Sequence, residues 1–216
     1  MMNNAPSNGR WALAGPLAVV LWIVGLILVT KNQPGDHASG SQILAWYSSH
    51  QATIALGALV FMVGCLSFVT FAAGLRVRLA EATGADSLLP GLVLVGAAMA
   101  AVAGMLTVAT DLGGAINNDV ITPATAATLH NSISVFFVCA ELALILPIGA
   151  VAVAAWKTRI LPRWWAAASG ILAVVLVIGP IGWVAMIFGL PVWTLGTSLF
   201  LLLRSQARMH PAAATA

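Results

Sequence analysis

Residues 133–156 read ISVFFVCAELALILPIGAVAVAAW, and this run decides the class of the fold. As a helix it is long enough to cross about 30 Å of hydrocarbon, and Glu141 is its only charged residue. Such a run predicts a membrane-spanning helix. Five more apolar runs lie on either side of it along the chain, at residues 11–29, 52–75, 88–110, 164–188 and 190–203.

The composition of the whole chain agrees with this prediction. Of its 216 residues, 61% are hydrophobic and 7% are charged, whereas a soluble domain carries about 25% charged residues. Too few ionic groups remain to cover a water-soluble globule. The sequence therefore predicts a single all-α domain over residues 1–210, a polytopic transmembrane helical bundle, followed by a disordered tail at 211–216.

Six spans are expected, arranged as three hairpins. Their approximate bounds are 11–30, 51–75, 88–110, 129–156, 164–186 and 190–206. Gly189 and Pro191 interrupt the apolar pattern between the last two runs, which predicts a tight turn there. The sixth run is short for a span. In the connection after span three, Thr122 is expected to cap a helix that has Pro123 at its first position and continues into span four.

The basic residues predict how the bundle is oriented. With the amino terminus in the cytoplasm, Lys31 is the only one of the nine Lys and Arg residues that falls outside. This is the distribution of the positive-inside rule, and it places both termini in the cytoplasm. The basic residues that give the chain its net charge of +3 are thus interpreted as orientation signals. Because no long soluble segment exists, nucleic acid is not an expected partner; the lipid bilayer is.

Glu141 is the residue that most strongly suggests a function. It lies about 16 Å along the helix from His130, near the bilayer midplane, where an ionisable group is costly unless it is neutral, paired or facing a cavity. No cation shares its depth, which favours the neutral acid. His130, Ser134 and Glu141 are spaced by four and seven residues and so share one helix face. Two interpretations stay open: a ligand pocket or proton path, and a packing hydrogen bond.

Other polar residues gather at the outer boundary. Asp111 ends span three, and two interpretations of it stay open: a plain interfacial carboxylate, or a partner for His130, since consecutive helices are usually neighbours, with His50 as a third member. A haem or a divalent metal at His50 and His130 is an alternative, but their spacing matches no compact ligand motif, so no cofactor or metal is predicted. No metalloprotease, serine hydrolase or ATPase motif occurs, which leaves an enzyme without supporting residues.

The order of features resembles a loosely defined group of bacterial membrane proteins. A polar-capped first helix is followed by Ile43-Leu44-Ala45-Trp46-Tyr47-Ser48-Ser49-His50 before span two, and Leu161-Pro162-Arg163-Trp164-Trp165 opens span five. In these respects the chain resembles uncharacterised bacterial integral membrane proteins of about this size. The resemblance implies a multi-pass protein of the bacterial inner membrane and brings no assigned activity.

Two functional hypotheses of different classes follow. In the first, a polar-lined pocket around Glu141, open toward His130 and Asp111, binds or moves a small apolar or amphipathic molecule. In the second, the chain is a non-catalytic partner subunit or assembly factor of another membrane protein. A membrane haem or metal redox protein is a further alternative. A lipid-sized cavity would favour the first hypothesis, and an exposed face of small residues would favour the second.

Overall fold

The computed structural model describes residues 9–35, 37–84 and 86–209, so the tail predicted at 211–216 lies outside the described residues. Helices account for the regular structure of these residues, and no strand occurs among them. Five helices in the described ranges are long and apolar enough to cross a membrane. The chain is therefore a multi-pass helical membrane protein, as its composition predicts.

The helices follow one another with short connections. In chain order they are α1 (Ala14–Val29, after a 3₁₀ turn at Gly9–Leu13), α2 (Gly40–Thr83), α3 (Leu89–Ile116), α4 (Pro123–Thr158), α5 (Arg163–Val175), α6 (Gly179–Val184) and α7 (Leu190–Met209), with a π-helical turn at Ala185–Gly189 joining the last two. We call the side with connections 30–39 and 117–122 the loop end. The opposite side, with connections 84–88 and 159–162, is the arginine end.

Two helices begin before the membrane-spanning part, each at a capped residue. The Ser39 hydroxyl accepts the Gln42 N–H, while the Gln42 side chain accepts the Ser39 N–H at 2.8 Å. The Thr122 hydroxyl accepts the Thr125 N–H at 3.2 Å, which confirms the predicted cap of α4. The helix α4 then runs on into the span that follows, and α2 does so across a bend at His50, so the loop end is itself largely helical.

The predicted turn between the last two spans is wrong in its position. Residues 189–191 are helical, and the chain breaks instead at residues 176–178. Gly179 adopts φ of 38°, a left-handed conformation that favours glycine, and Pro180 then opens the next helix. Pro191 stays within a helix because the π-helical turn just before it shifts the hydrogen-bond register that its ring would otherwise obstruct.

The break at 176–178 makes a short hairpin of α5 and the helical run 179–209. The Trp165 indole N–H donates to the Thr197 hydroxyl, and the Trp193 indole N–H donates to the Ser169 hydroxyl, both at 3.0 Å. These pairs run in opposite directions along the chain, so the two arms are antiparallel. With 13 residues, α5 rises only about 20 Å and ends in the middle of the bundle.

Glycines set the close contacts between the long helices. Gly25 of α1 and Gly57 of α2 lie against each other's backbone, and Gly96 of α3 lies against the Pro147 ring of α4. In lipid, helices associate through such packing rather than through apolar burial. The largest buried core fills the arginine-end half of the molecule, where the hairpin of α5 packs against α4.

Candidate functional site

The first turns of α2, residues 40–49, form a cap over the loop end. The helix bends at His50, whose φ of −122° and ψ of 15° are not helical. Before the bend, Ile43, Trp46 and Tyr47 are buried against the loop-end residues of α3 and α4. The Trp46 indole N–H donates to the Lys31 carbonyl at 3.1 Å, which fastens the cap to the preceding connection as well.

A polar trio holds this cap to the two helices beneath it. The Tyr47 hydroxyl donates to Asp111 Oδ1 at 2.8 Å, and His130 Nδ1 lies 3.2 Å from the same oxygen. Asp111 is 1% exposed. Burial, together with the neighbouring Asp111 charge, raises the pKa of the Tyr47 hydroxyl above its usual range, so Tyr47 is a donor here. The predicted contact between Asp111 and His130 is present, and Tyr47 completes it.

His50 does not join this trio. Its Nε2 lies 3.2 Å from the Asn32 amide nitrogen, and its Nδ1 lies 2.8 Å from the Ser49 hydroxyl. Both ring nitrogens are therefore engaged at the bend of α2. Trp46 contacts the rings of both His50 and His130, with centroids 6.4 and 5.9 Å away. Among the described residues, no three His, Cys, Asp or Glu side chains come together as a metal site.

Ser134 stays within its own helix. Its side chain is exposed on the surface of α4, and its hydroxyl donates to the Asn131 carbonyl at 3.0 Å. The predicted polar stripe from His130 through Ser134 to Glu141 is thus divided. His130 bonds to α3, Ser134 bonds to its own backbone, and Glu141 faces the α5–α6 hairpin, so the three side chains do not line one pocket.

An apolar cleft opens on the side of the bundle in its loop-end half, and we call it the lateral cleft. Its volume is about 510 Å³, within the range of ligand-binding pockets. None of the five predicted site residues lines it, so the expectation of a polar-lined pocket is not met by this cavity. The lining comes from five parts of the chain, namely 22–27, 61–68, 100–108, 137–144 and 186–192.

The short hairpin explains why the lateral cleft exists. Its arms fill the space between α1 and α4 in the arginine-end half, where α7 contacts α1 and α5 contacts α4. Beyond the end of α5 at Val175, the short α6 lies against α4 among the described residues, with the Trp183 and Phe137 ring centroids 5.0 Å apart. Helices α2 and α3 form the back of the cleft, and Met186, Ile187 and Phe188 form its floor. Several residues of its lining, among them Ile23, Ile27 and Phe188, are exposed at the surface of the bundle.

Glu141 lies beside the top of the hairpin and is 3% exposed. Its Oε1 lies against the α-carbon of Gly182, where even a methyl group would overlap with it. Among the described residues, no hydrogen bond to this carboxyl group is found. Neighbouring Ala140 and Leu144 line the lateral cleft. Glu141 thus lies next to the cleft, at the point where the hairpin reverses.

Sequence reasoning missed the polar contacts inside the hairpin. Ser169, Thr194, Thr197 and Ser198 are all completely buried between the helices. The spacing of Thr194, Thr197 and Ser198 by three and four places them on one helix face, and this was the available signal. The hydroxyls of Ser169 and Thr197 accept from the indoles of the opposite arm, and such groups join helices in an apolar environment, which makes these two structural in this hairpin.

Comparison of the chain with models of protein families, with curated proteins and with solved structures finds no match.

Proposed function

We propose that this membrane protein binds the apolar chain of a lipid-like amphipath in the lateral cleft. The observation that carries the proposal is the cleft itself, about 510 Å³ of apolar space with lining residues exposed at the surface of the bundle. A helix that crossed the whole bilayer in place of α5 would fill this space. A molecule already dissolved in the membrane reaches such an opening from the side, without passing through water.

The chemistry of the lining supports an apolar occupant. Thr107 is one of the few polar residues along the cleft, and its hydroxyl already donates to the Ala103 carbonyl at 3.0 Å. The indole nitrogen of Trp22 is buried and, in the described part of the chain, has no acceptor stronger than the sulfur of the Cys65 thiol, a weak acceptor. An occupant with an oxygen atom along its chain would satisfy this donor, as an ester or hydroxyl oxygen does.

The buried position of the small residues favours this proposal over a partner subunit. Gly96, Ala97, Ala100 and Ala101 of α3 are buried within the bundle rather than exposed to a partner. Two further features belong to the proposal: both termini face the cytoplasm, and the membrane is the bacterial inner membrane. The positions of the basic residues support the first, and the resemblance drawn from residues 43–50 and 161–165 supports the second.

Photo-crosslinking with a long-chain alcohol that carries a diazirine tests the proposal. In nanodiscs, we expect saturable labelling within residues 100–108 and 137–144. Gly104→Phe places a ring in the cleft; its β-carbon fits, because the nearest atom, the Cys65 sulfur, is 3.4 Å away. This variant should weaken labelling about tenfold, which corresponds to about 1.4 kcal/mol.

Val102→Phe is the matched control, because Val102 is 58% exposed on the same helix and does not line the cleft. Its labelling should equal that of the unmodified chain. Labelling that spreads evenly over the lipid-facing helices, or that is the same in both variants, would show only annular lipid and reject the proposal. Cross-linking of residues 100–108 to a second polypeptide in cells would support a partner subunit instead.

A further inference from the structure

The top of the α5–α6 hairpin holds two oxygen atoms that lack hydrogen-bond donors. One belongs to the carboxyl group of Glu141, a residue that is 3% exposed and for which no hydrogen bond is found in the described part of the chain. The other is the Leu176 carbonyl oxygen. The residue four positions later, whose N–H a continuing helix would supply, is Pro180, which has no hydrogen to donate. Within the described ranges, no other donor reaches either oxygen.

Glu141 Oε1 and the Leu176 carbonyl oxygen both lie close to the α-carbon of Gly182. A methyl group on Gly182 would overlap with Glu141 Oε1 and would lie 3.0 Å from the Leu176 carbonyl oxygen. Both oxygens therefore lie beside Gly182. A carboxylate and a carbonyl are both acceptors and repel each other, whereas a protonated carboxyl group has one O–H to donate. A single proton between them would satisfy both groups.

The surroundings of Glu141 offer no cation in place of this proton. In the elements packed around it, the charged residues are few and lie towards the helix ends. Arg163 begins α5, Asp111 lies at the loop end of α3, and α4 itself has His130 and Lys157 towards its ends and the Cys139 thiol at its surface. The helix α2 has His50 at the loop end, the Cys65 thiol in its middle, and Arg76, Arg78 and Glu81 near the arginine end. Residues 164–184 contain no charged residue. An unpaired carboxylate in hydrocarbon is costly, so the neutral acid is favoured.

We propose that the hairpin apex is a proton-binding site, in which the Glu141 carboxyl group binds one proton and donates it in a hydrogen bond to the Leu176 carbonyl oxygen. This bond ties the hairpin to α4. Because residues 186–188 of the same hairpin form the cleft floor, and because the cleft is proposed to bind a chain, proton binding and chain binding are linked. Release of the proton to water leaves two repelling acceptors, loosens the floor and weakens chain binding.

The proton on Glu141 can be observed by infrared spectroscopy. The chain has only two glutamates, Glu81 and Glu141, so the bands of labelled glutamate can be assigned to single residues. Glu81 is exposed beside Arg78, with their charged atoms 3.2 Å apart. In protein labelled with ¹³C-glutamate, infrared spectra at neutral pH should show one carboxylate and one protonated acid. Glu81→Gln should remove the carboxylate band, and Glu141→Gln should remove the acid band. Two carboxylate bands in the unmodified protein at neutral pH would overturn the proposal without any variant.

The linkage is measured with the uncharged diazirine alcohol between about pH 5 and about pH 10. Its affinity should fall about tenfold as the acid band is lost, a coupling typical of linked sites. Glu141→Gln retains a donor for the Leu176 carbonyl and should bind tightly at every pH. An identical pH response in Glu141→Gln and in the unmodified chain would reject the linkage. If no protein binds the alcohol at any pH, the proposed function of the cleft fails, while the infrared bands still decide the proton site.

Discussion

At the scale of single residues, Tyr47 shows how one hydroxyl group fastens the loop-end cap. It donates to Asp111 from the cap helix, whereas Asp111 and His130 belong to the helices beneath. The aromatic ring also fills space against Gly114 of α3. The trio thus joins three helices through one buried carboxyl oxygen.

Tyr47→Phe keeps the ring and removes only the donor. We expect the free energy of unfolding to fall by about 1–3 kcal/mol, the range for a buried hydrogen bond to a charged group. Unfolding in mixed micelles with rising SDS fraction measures it. Thr128→Val is the control, since that hydroxyl is exposed and bonds only to its own helix, at the Ala124 carbonyl. Equal stability of Tyr47→Phe and the unmodified chain would show that the trio does not hold the cap.

Replacing either of two buried threonines of the hairpin by valine should change the free energy of unfolding, but in opposite directions. The Thr194 hydroxyl is buried and has no hydrogen-bond partner, whereas the Thr197 hydroxyl accepts from Trp165. Valine has the same shape as threonine without its polar atom. Thr194→Val should therefore raise the free energy of unfolding by about 1 kcal/mol, and Thr197→Val should lower it by about 1–3 kcal/mol. The same SDS titration measures both variants, and a loss of stability in Thr194→Val contradicts the first expectation.

At the scale of elements, the crossing of α1 and α2 depends on glycine. A β-carbon on Gly57 would lie 2.7 Å from the Val29 backbone nitrogen and 2.8 Å from the Leu28 β-carbon. Neither atom belongs to the far end of a flexible side chain, so the helices themselves must separate. Close approach of backbones is what small residues allow in membrane helices.

Gly57→Ala should accordingly lower the free energy of unfolding by about 1–3 kcal/mol through overpacking. Gly91→Ala is the matched control, because nothing lies within 4 Å of a β-carbon there. In that variant the better helix propensity of alanine should give a change of at most about 1 kcal/mol, in the stabilising direction. Stability measurements in one detergent compare the two variants, and an equal response would show that the α1–α2 contact is not tight.

At the scale of the whole molecule, the basic residues gathered at the arginine end predict how the bundle is oriented in the membrane. Val120 at the loop end is 74% exposed, and Ala82 at the arginine end is also exposed. If the positive-inside rule holds, only the arginine end faces the cytoplasm. The orientation also decides which leaflet supplies the lateral cleft, since the cleft lies in the loop-end half.

Single cysteines test this orientation once Cys65 and Cys139 have been replaced by alanine. A maleimide that does not cross membranes should label Val120→Cys in intact cells. It should label Ala82→Cys only after the cells are permeabilised. The reverse pattern would place the cleft in the cytoplasmic leaflet and would make the proposed positions of both termini wrong, while leaving the fold unchanged.

The membrane class of the chain and four of its long helices follow from sequence because hydropathy is a local property. An apolar run such as 133–156 must become a helix in lipid, where each backbone polar group needs a partner within the same segment. The isolation of Glu141 and the contact of Asp111 with His130 follow from the same reasoning, through depth and through the neighbourhood of consecutive helices.

Only the tertiary structure decided where the last hairpin turns, and with that, where the cleft lies. By sequence, Gly189 and Pro191 predict the turn, yet a π-helical turn accommodates Pro191, and the chain reverses before the left-handed Gly179 instead. Such a choice depends on packing against α1 and α4, which no local pattern contains. By itself the sequence determined a membrane bundle with one buried carboxyl group; the length of one arm, set by contacts distant along the chain, decided what surrounds that group.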